Sequence, residues 1–220
     1  MRTLILILLA FKSIFSFGQS AFEKQYSSDV CNCMESKQNT SFNTDNFLIC
    51  FQQVLGNDSA QIIQEYKKIY GDTIFSESRH FGNDLYNKLK ISMVSECKPY
   101  ATFLDSLRYN EVKSLNKDSV RLELKNLNTT AFLKQDISFY NQKSVLFFQL
   151  QLYDSAINNS NKVLKQDSNN AQAMYFKGWA NEIKGNYDVP VMLYNKLALL
   201  TRQDYFLILS ALVKRKKNGM

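Results

Sequence analysis

The sequence contains a single histidine, His80, among its 220 residues. A serine or cysteine nucleophile would therefore have to use this one imidazole as its base. His80 lies close to Ser76, Ser78 and Asp84, but a polar helix start accounts for such a cluster equally well. The scarcity of histidine also argues against a metal site, because zinc sites usually combine cysteine with histidine at close spacing.

Signatures of common catalytic sites are absent as well. There is no Gly-rich phosphate loop, no H-E-x-x-H and no G-x-S-x-G. The 20 acidic residues are scattered singly, so no carboxylate pair stands out for acid–base catalysis. We therefore expect no enzyme activity, no cofactor and no metal.

No stretch reaches the roughly 18 consecutive apolar residues that a membrane-spanning helix requires. A shorter apolar run, 4–11, follows a basic residue and precedes small residues, which is the pattern of a secretory signal peptide. We expect residues 1–18 to be this signal, cleaved after Gly18 or, as a second choice, after Ser20. The mature protein would then be exported, to the periplasm or the cell surface. Lys12 interrupts the pattern, so an uncleaved anchor or a plain N-terminal helix remains open.

Four cysteines follow, namely Cys31, Cys33, Cys50 and Cys97. An even number in an exported protein favours two disulfides. A bridge from Cys31 to Cys33 is disfavoured, because residues two apart on a helix point to nearly opposite sides. The other two pairings stay open. We prefer Cys33 with Cys50, since the two lie in consecutive predicted helices that each carry an apolar stripe.

The segment 31–100 is also similar to the N-terminal region of exported, uncharacterised bacterial proteins. The shared features are the C-x-C pair, a helix containing Cys50, a Tyr70-Gly71 step and a long helix that ends near Cys97 and Pro99. The resemblance implies disulfides and no activity.

The net charge of +7 does not indicate nucleic acid as a partner. Two basic residues belong to the predicted signal and four lie in the C-terminal cluster Lys214, Arg215, Lys216 and Lys217. Without these six, 21 basic residues face 20 acidic ones. The basic cluster suits a helix C-terminus, and contact with an anionic membrane surface is a weaker alternative.

The strongest pattern is a repeat with a period of 34 residues between 137 and 204. Pairs of residues that coincide after this shift are Tyr153 with Tyr187, Asp154 with Asp188, Asn161 with Asn195, Lys162 with Lys196, Ile157 with Val191 and Val163 with Leu197. Apolar residues recur every three or four positions within each copy, as a buried helix stripe requires.

Both copies resemble the tetratricopeptide repeat (TPR), a helix-turn-helix unit of this length. The residues that carry the resemblance are Gly178, Gly185 and Tyr187 in the second copy, and Tyr140, Ser144, Tyr153, Ala156 and Val163 in the first. Pro190 and Lys177 depart from the family pattern. Pro190 is tolerable because it falls in the first turn of its helix.

The resemblance implies an all-α fold, in which helical hairpins stack as a short TPR-like solenoid after a disulfide-linked helical domain. Two repeats are fewer than the roughly three that such stacks need, so neighbouring segments must cover both ends. The expected organisation is a signal peptide (1–18), an N-terminal helical domain with two disulfides (19–100), a helical connector or divergent repeat (101–136), two repeats (137–204), and a capping helix with a basic tail (205–220).

TPR proteins bind proteins or peptides on the inner face formed by the first helix of each repeat. Carried over by position, this face comprises Asn141, Val145, Phe148, Tyr175, Trp179 and Glu182. We therefore expect a non-enzymatic binding protein with a protein or peptide partner. Core filling is an alternative role for Trp179, and a structural or assembly subunit whose repeats pack on itself is an alternative function.

Overall fold

A computed structural model describes residues 21–37, 44–70, 78–130 and 135–219. The predicted signal peptide lies outside these residues. Every regular element within them is an α-helix, so the predicted all-α class is confirmed. The helices are α1 (Ala21–Ser36), α2 (Thr44–Tyr70), α3 (Ser78–Glu96), α4 (Lys98–Lys113), α5 (Lys117–Thr130), α6 (Ile137–Gln149), α7 (Tyr153–Gln166), α8 (Ala171–Ile183), α9 (Asp188–Thr201) and α10 (Tyr205–Lys217). None of these helices is long and apolar enough to cross a membrane.

Helices α1, α2 and α3 form an N-terminal core stapled by two disulfides. Cys33 is bonded to Cys50 and Cys31 to Cys97, which confirms both the number of bridges and the preferred pairing. Cys50 and Cys97 are fully buried among apolar side chains of the same core, including Tyr26. The bridges close intervals of 17 and 66 residues, so the larger one restricts the unfolded chain more.

Helix α4 connects this core with the repeats. Cys97 alone separates it from α3, and Pro99 lies in its first turn, where a missing amide donor is tolerated. The first turns of α4 bury Tyr100 and Ala101 in the N-terminal core, and its later turns place Arg108 and Val112 against the repeats. The expected domain boundary at residue 100 therefore falls inside one continuous helix.

The repeat region folds as two helical hairpins, α6–α7 and α8–α9. Helix α8 begins and ends 34 residues after α6, matching the sequence period. Asp136 and Asn170, also one period apart, cap α6 and α8 by accepting a hydrogen bond from the backbone N–H three residues later. The same local sequence signals therefore produce the same helix boundaries twice.

The two hairpins have different residues where their two helices cross. In the first, Ser144 Oγ lies 2.6 Å from Ser160 Oγ, so two small side chains meet. In the second, the corresponding residues are Gly178 and Tyr194. A Cβ atom on Gly178 would lie 3.0 Å from Cε1 of the Tyr194 ring, so the absent side chain makes room for a large one. The buried Tyr194 hydroxyl then becomes available to groups outside the hairpin.

Helix α10 closes the structure. Its Leu209 and Val213 pack with Leu197 of α9, as expected for a capping helix, whereas its Ile208 and Leu212 belong to the N-terminal core. The helix is thus shared between the two halves of the described chain. Both apolar cores therefore include side chains of α10.

Candidate functional site

The six inner-face residues predicted from the repeat lie together on α6 and α8. The ring centroids of Phe148 and Trp179 are 4.6 Å apart, and those of Tyr175 and Trp179 are 5.6 Å apart. Phe148, Trp179 and Glu182 are buried, whereas Asn141, Val145 and Tyr175 are half-buried.

The chain itself covers one end of this inner face. The Arg108 guanidinium of α4 lies over the Trp179 ring, 4.7 Å from its centroid, and binds both Glu182 carboxylate oxygens at 3.1 Å. Val112 of α4 packs in the same cluster as Phe148. Trp179 is consequently only 4 % exposed. A partner could reach this closed end only if α4 moved. The Trp179 ring fills the core here, which is the alternative role that the sequence analysis gave for this residue.

Four helices meet in a buried ion network at the closed end, made of Asp105, Arg108, Glu182, Tyr194 and Lys216. The Tyr194 hydroxyl lies 3.2 Å from both Arg108 Nη2 and Glu182 Oε2, and Lys216 Nζ donates to Glu182 Oε1 at 2.8 Å and to Asp105. Two positive charges face two negative charges, with no net charge buried. A buried charge without its partner is costly, so the network holds α4, α8, α9 and α10 in one arrangement.

The surroundings shift the pKa of three of these groups upward. Burial raises the pKa of Tyr194 well above its usual value. Burial by itself would lower the pKa of Lys216, but Glu182 and Asp105 outweigh it and the pKa is raised. Burial likewise opposes the charge of Arg108, but Tyr194 and Glu182 more than offset it and raise the pKa. All three groups therefore keep their protons at neutral pH.

The basic C-terminal cluster is largely engaged within the chain. Arg215 donates to the backbone oxygens of Val94 and Ser95, Lys216 belongs to the ion network, and Lys217 pairs with Asp188. Lys214 is exposed. Contact of this cluster with an anionic membrane surface stays a prediction. Three of its four basic side chains already have partners within the chain.

An open cleft of about 580 Å³ lies where the start of α6, the end of α7 and the start of α8 meet. It is lined mainly by uncharged polar side chains, and its lining residues are Asp136, Ile137, Ser138, Asn141, Gln142, Gln166 and Gln172. Asn141 Nδ2 donates to Asn170 Oδ1 at 3.1 Å, which fixes the amide against the start of α8. Its Oδ1 is buried without a hydrogen-bond partner among the described residues. We call this space the amide-lined cleft; of the six predicted inner-face residues, Asn141 is the one that lines it.

The sequence analysis did not predict that Arg108 and Lys216 bind Glu182. They lie 74 residues before and 34 residues after Glu182, on helices outside the repeats. One signal pointed towards them: Glu182 is a carboxylate on a helix face otherwise made of apolar, aromatic and small residues. A carboxylate in such surroundings needs a cation, but the sequence does not name which one.

Within the described residues, no three His, Cys, Asp or Glu side chains lie close enough to hold a metal ion. The side chain of His80 lies outside the described part of the chain. Comparison with known proteins gives no further guide, since no family model, curated protein or solved structure matches this chain.

Proposed function

We propose that this chain is an exported, non-enzymatic binding protein of the TPR kind, which holds a protein segment in the amide-lined cleft. The observation that supports this proposal is the open cleft of about 580 Å³ beside Asn141, at a distance from Phe148, Trp179 and Glu182, which α4 contacts.

The chemistry of the cleft suits an extended peptide. Each Asn or Gln amide presents both a donor and an acceptor, which matches the alternating N–H and C=O groups of a peptide backbone. The cleft contains one carboxylate, Asp136, whose side chain already caps α6. Recognition would therefore depend on hydrogen bonds to the backbone more than on charge, with a weak dependence on salt.

The test uses peptides selected from a random display library against the purified, disulfide-bonded chain. The double variant Gln142→Ala/Gln172→Ala should weaken their binding about tenfold or more, because two hydrogen-bonding amides are lost. The matched control is Asn158→Ala/Asn161→Ala on the outer side of α7. Equal affinity of the selected peptides for wild type and the cleft variant would refute the proposal.

A second candidate function is a structural or assembly subunit of a cell-envelope complex, whose repeats pack on itself. It is favoured by the closed end, where α4 already occupies half of the predicted binding face. Trp179 is the only tryptophan, so its fluorescence reports this contact directly. In a purely structural role its emission stays blue-shifted and poorly quenched by acrylamide whatever peptide is added. An increase in quenching on peptide binding would contradict that role.

A further inference from the structure

The outer side of α9 carries a regular stripe of exposed residues. Asp188, Met192, Asn195 and Leu199 follow one another at intervals of four, three and four, which places them on one face of the helix. Arg202 follows three residues later as the C-cap, in the left-handed conformation. Met192 is 61 % and Leu199 83 % exposed, Asp188 and Arg202 are exposed, and Asn195 is half-buried. We call these five residues the outer stripe.

The first hairpin provides an internal comparison for the outer stripe. One period earlier, α7 and the turn after it carry the polar residues Asp154, Asn158, Asn161, Lys165 and Ser168. Asn158 and Lys165 are exposed in the same fold position as Met192 and Leu199. Core packing therefore does not explain the two large apolar side chains of α9. Exposed apolar groups clustered on one face are typical of an interaction surface.

The outer stripe is complementary to itself when it is turned end for end. An antiparallel pair of α9 helices, with Asn195 near the two-fold axis, brings Met192 opposite Leu199. It also brings Asp188, which Lys217 of its own chain already contacts, to the end of the partner helix that Arg202 caps. Such a pairing is isologous, because each residue contacts its counterpart in both directions. A central asparagine is also the type of residue that sets register in paired helices.

The surroundings of the axis do not oppose this pairing. Lys196, which follows Asn195, points to the turn after α7, where its ammonium group donates to the Ser168 backbone oxygen at 2.7 Å. Like charges from two copies are therefore kept away from the axis. Leu200 and Tyr205, 45 % and 46 % exposed, extend the apolar surface beside the stripe.

We propose that two copies of this chain associate through the outer stripe, with their α9 helices antiparallel. The apolar surface is small for an interface, because only four large side chains contribute part of their area. The contact therefore belongs with small interfaces, below about 1,200 Å² in total, which are weak and transient. The dimer should form reversibly as the protein concentration rises.

Crosslinking tests the two-fold axis directly. All four native cysteines are in disulfides, so a cysteine introduced by Asn195→Cys is the single free thiol. Two such thiols near the axis should join copies into a covalent dimer under mild oxidation. The matched control is Asn161→Cys, one period earlier on α7. Equal crosslinking of both variants, or none for Asn195→Cys, would overturn the proposal.

Sedimentation velocity over a concentration series tests the energetics. Leu199→Lys, which introduces the residue found one period earlier, should weaken self-association about tenfold or more. Leu122→Lys, at a leucine of 59 % exposure on α5, should leave it unchanged. Arg202→Asp should also weaken the dimer, because it brings two acidic side chains together across the interface and leaves the pair of Asp188 with Lys217 intact. Circular dichroism checks that each variant is folded.

Two outcomes would show that a second copy of the chain does not bind the outer stripe. If the chain stays monomeric at the highest concentration and Leu199→Lys has no effect, the outer stripe is not a self-association surface. If the monomer instead co-sediments with phosphatidylglycerol vesicles, and Met192→Asn abolishes this binding, a lipid surface is the occupant. Either result overturns the dimer and leaves the peptide-binding proposal for the cleft untouched, since the two surfaces share no residue.

Discussion

Replacement of Glu182 by leucine should destabilise the protein more than replacement of Arg108 by methionine. The side chains of the pair are 0 % and 8 % exposed, respectively, so neither is rehydrated when its partner is removed. After Glu182→Leu, Arg108 has no carboxylate in the network, because Asp105 is engaged by Lys216. After Arg108→Met, the Glu182 carboxylate keeps Lys216 and the Tyr194 hydroxyl. The two losses are therefore unequal.

The structure sets the expected magnitudes. Removal of one partner from a buried pair costs about 3–5 kcal/mol, so we expect about 4 kcal/mol for Glu182→Leu. Arg108→Met should cost about 2 kcal/mol, because the buried carboxylate remains partly satisfied. The double variant removes both buried charges and keeps the contact between Lys216 and Asp105. It should lose about 2 kcal/mol or less, well short of the roughly 6 kcal/mol that independent sites would give.

Urea unfolding followed by Trp179 fluorescence, with both disulfides intact, measures these free energies. The control is the exposed ion pair of Lys184 with Asp154, where Lys184→Met should cost less than about 1 kcal/mol. Additive losses in the double variant, or a greater loss for Arg108→Met than for Glu182→Leu, would show that the buried ion network does not hold α4 on the repeats.

Three further predictions concern the packing, the disulfides and the ionisation of the core. Gly178→Ala should lower the free energy of unfolding by about 1–3 kcal/mol, because the new Cβ meets the buried ring of Tyr194. Gly56→Ala, in α2 with nothing within 4 Å, should raise it by about 0.5–1 kcal/mol, and thermal unfolding compares the two. Serine replacement of the disulfide that spans 66 residues should cost about 4 kcal/mol, against about 3 kcal/mol for the one that spans 17, as urea midpoints would show. Between about pH 7 and pH 10, Tyr194 and Lys216 should leave the stability unchanged. Above about pH 10 the stability should fall, since their raised pKa values mean that the folded state holds protons which the unfolded chain loses. The free energy of unfolding should then fall by up to about 1.4 kcal/mol per pH unit for each group, and Tyr194→Phe should make this fall less steep. The same steepness in Tyr194→Phe would contradict the raised pKa of Tyr194.

The features that could be predicted from the sequence are those encoded at short range. The helical spacing of apolar residues and the period of 34 depend on residues within a few turns of one another, and so do the caps at Asp136 and Asn170, which the sequence analysis did not identify. The disulfide pairing could be preferred because Cys33 and Cys50 lie in consecutive helices, 17 residues apart. Phe148, Tyr175 and Trp179, three of the predicted inner-face residues, have their rings in contact, since matching positions one period apart lie on equivalent helices.

The accessibility of that face could not be predicted in the same way. Position in a repeat indicates which way Trp179 points, but its exposure depends on whether a distant helix packs over it. Arg108 covers the ring from a helix with no repeat signature, at a separation of 74 residues from Glu182. The position of α10 is a second example. Its apolar residues predicted a capping helix, but the sequence did not show which of them pack in the N-terminal core and which pack on α9.

The sequence by itself thus determined an all-helical chain, two disulfides and two hairpins of equal length, because hydrogen bonding and apolar periodicity are local properties of the chain. Only the tertiary structure decided that α4 covers Phe148, Trp179 and Glu182 of the inner face and that a cleft stays open beside Asn141. The physical reason is that burial of a charged or aromatic side chain is a property of the helices that meet there. These contacts between helices depend on the packing of the whole described chain, which no single segment encodes.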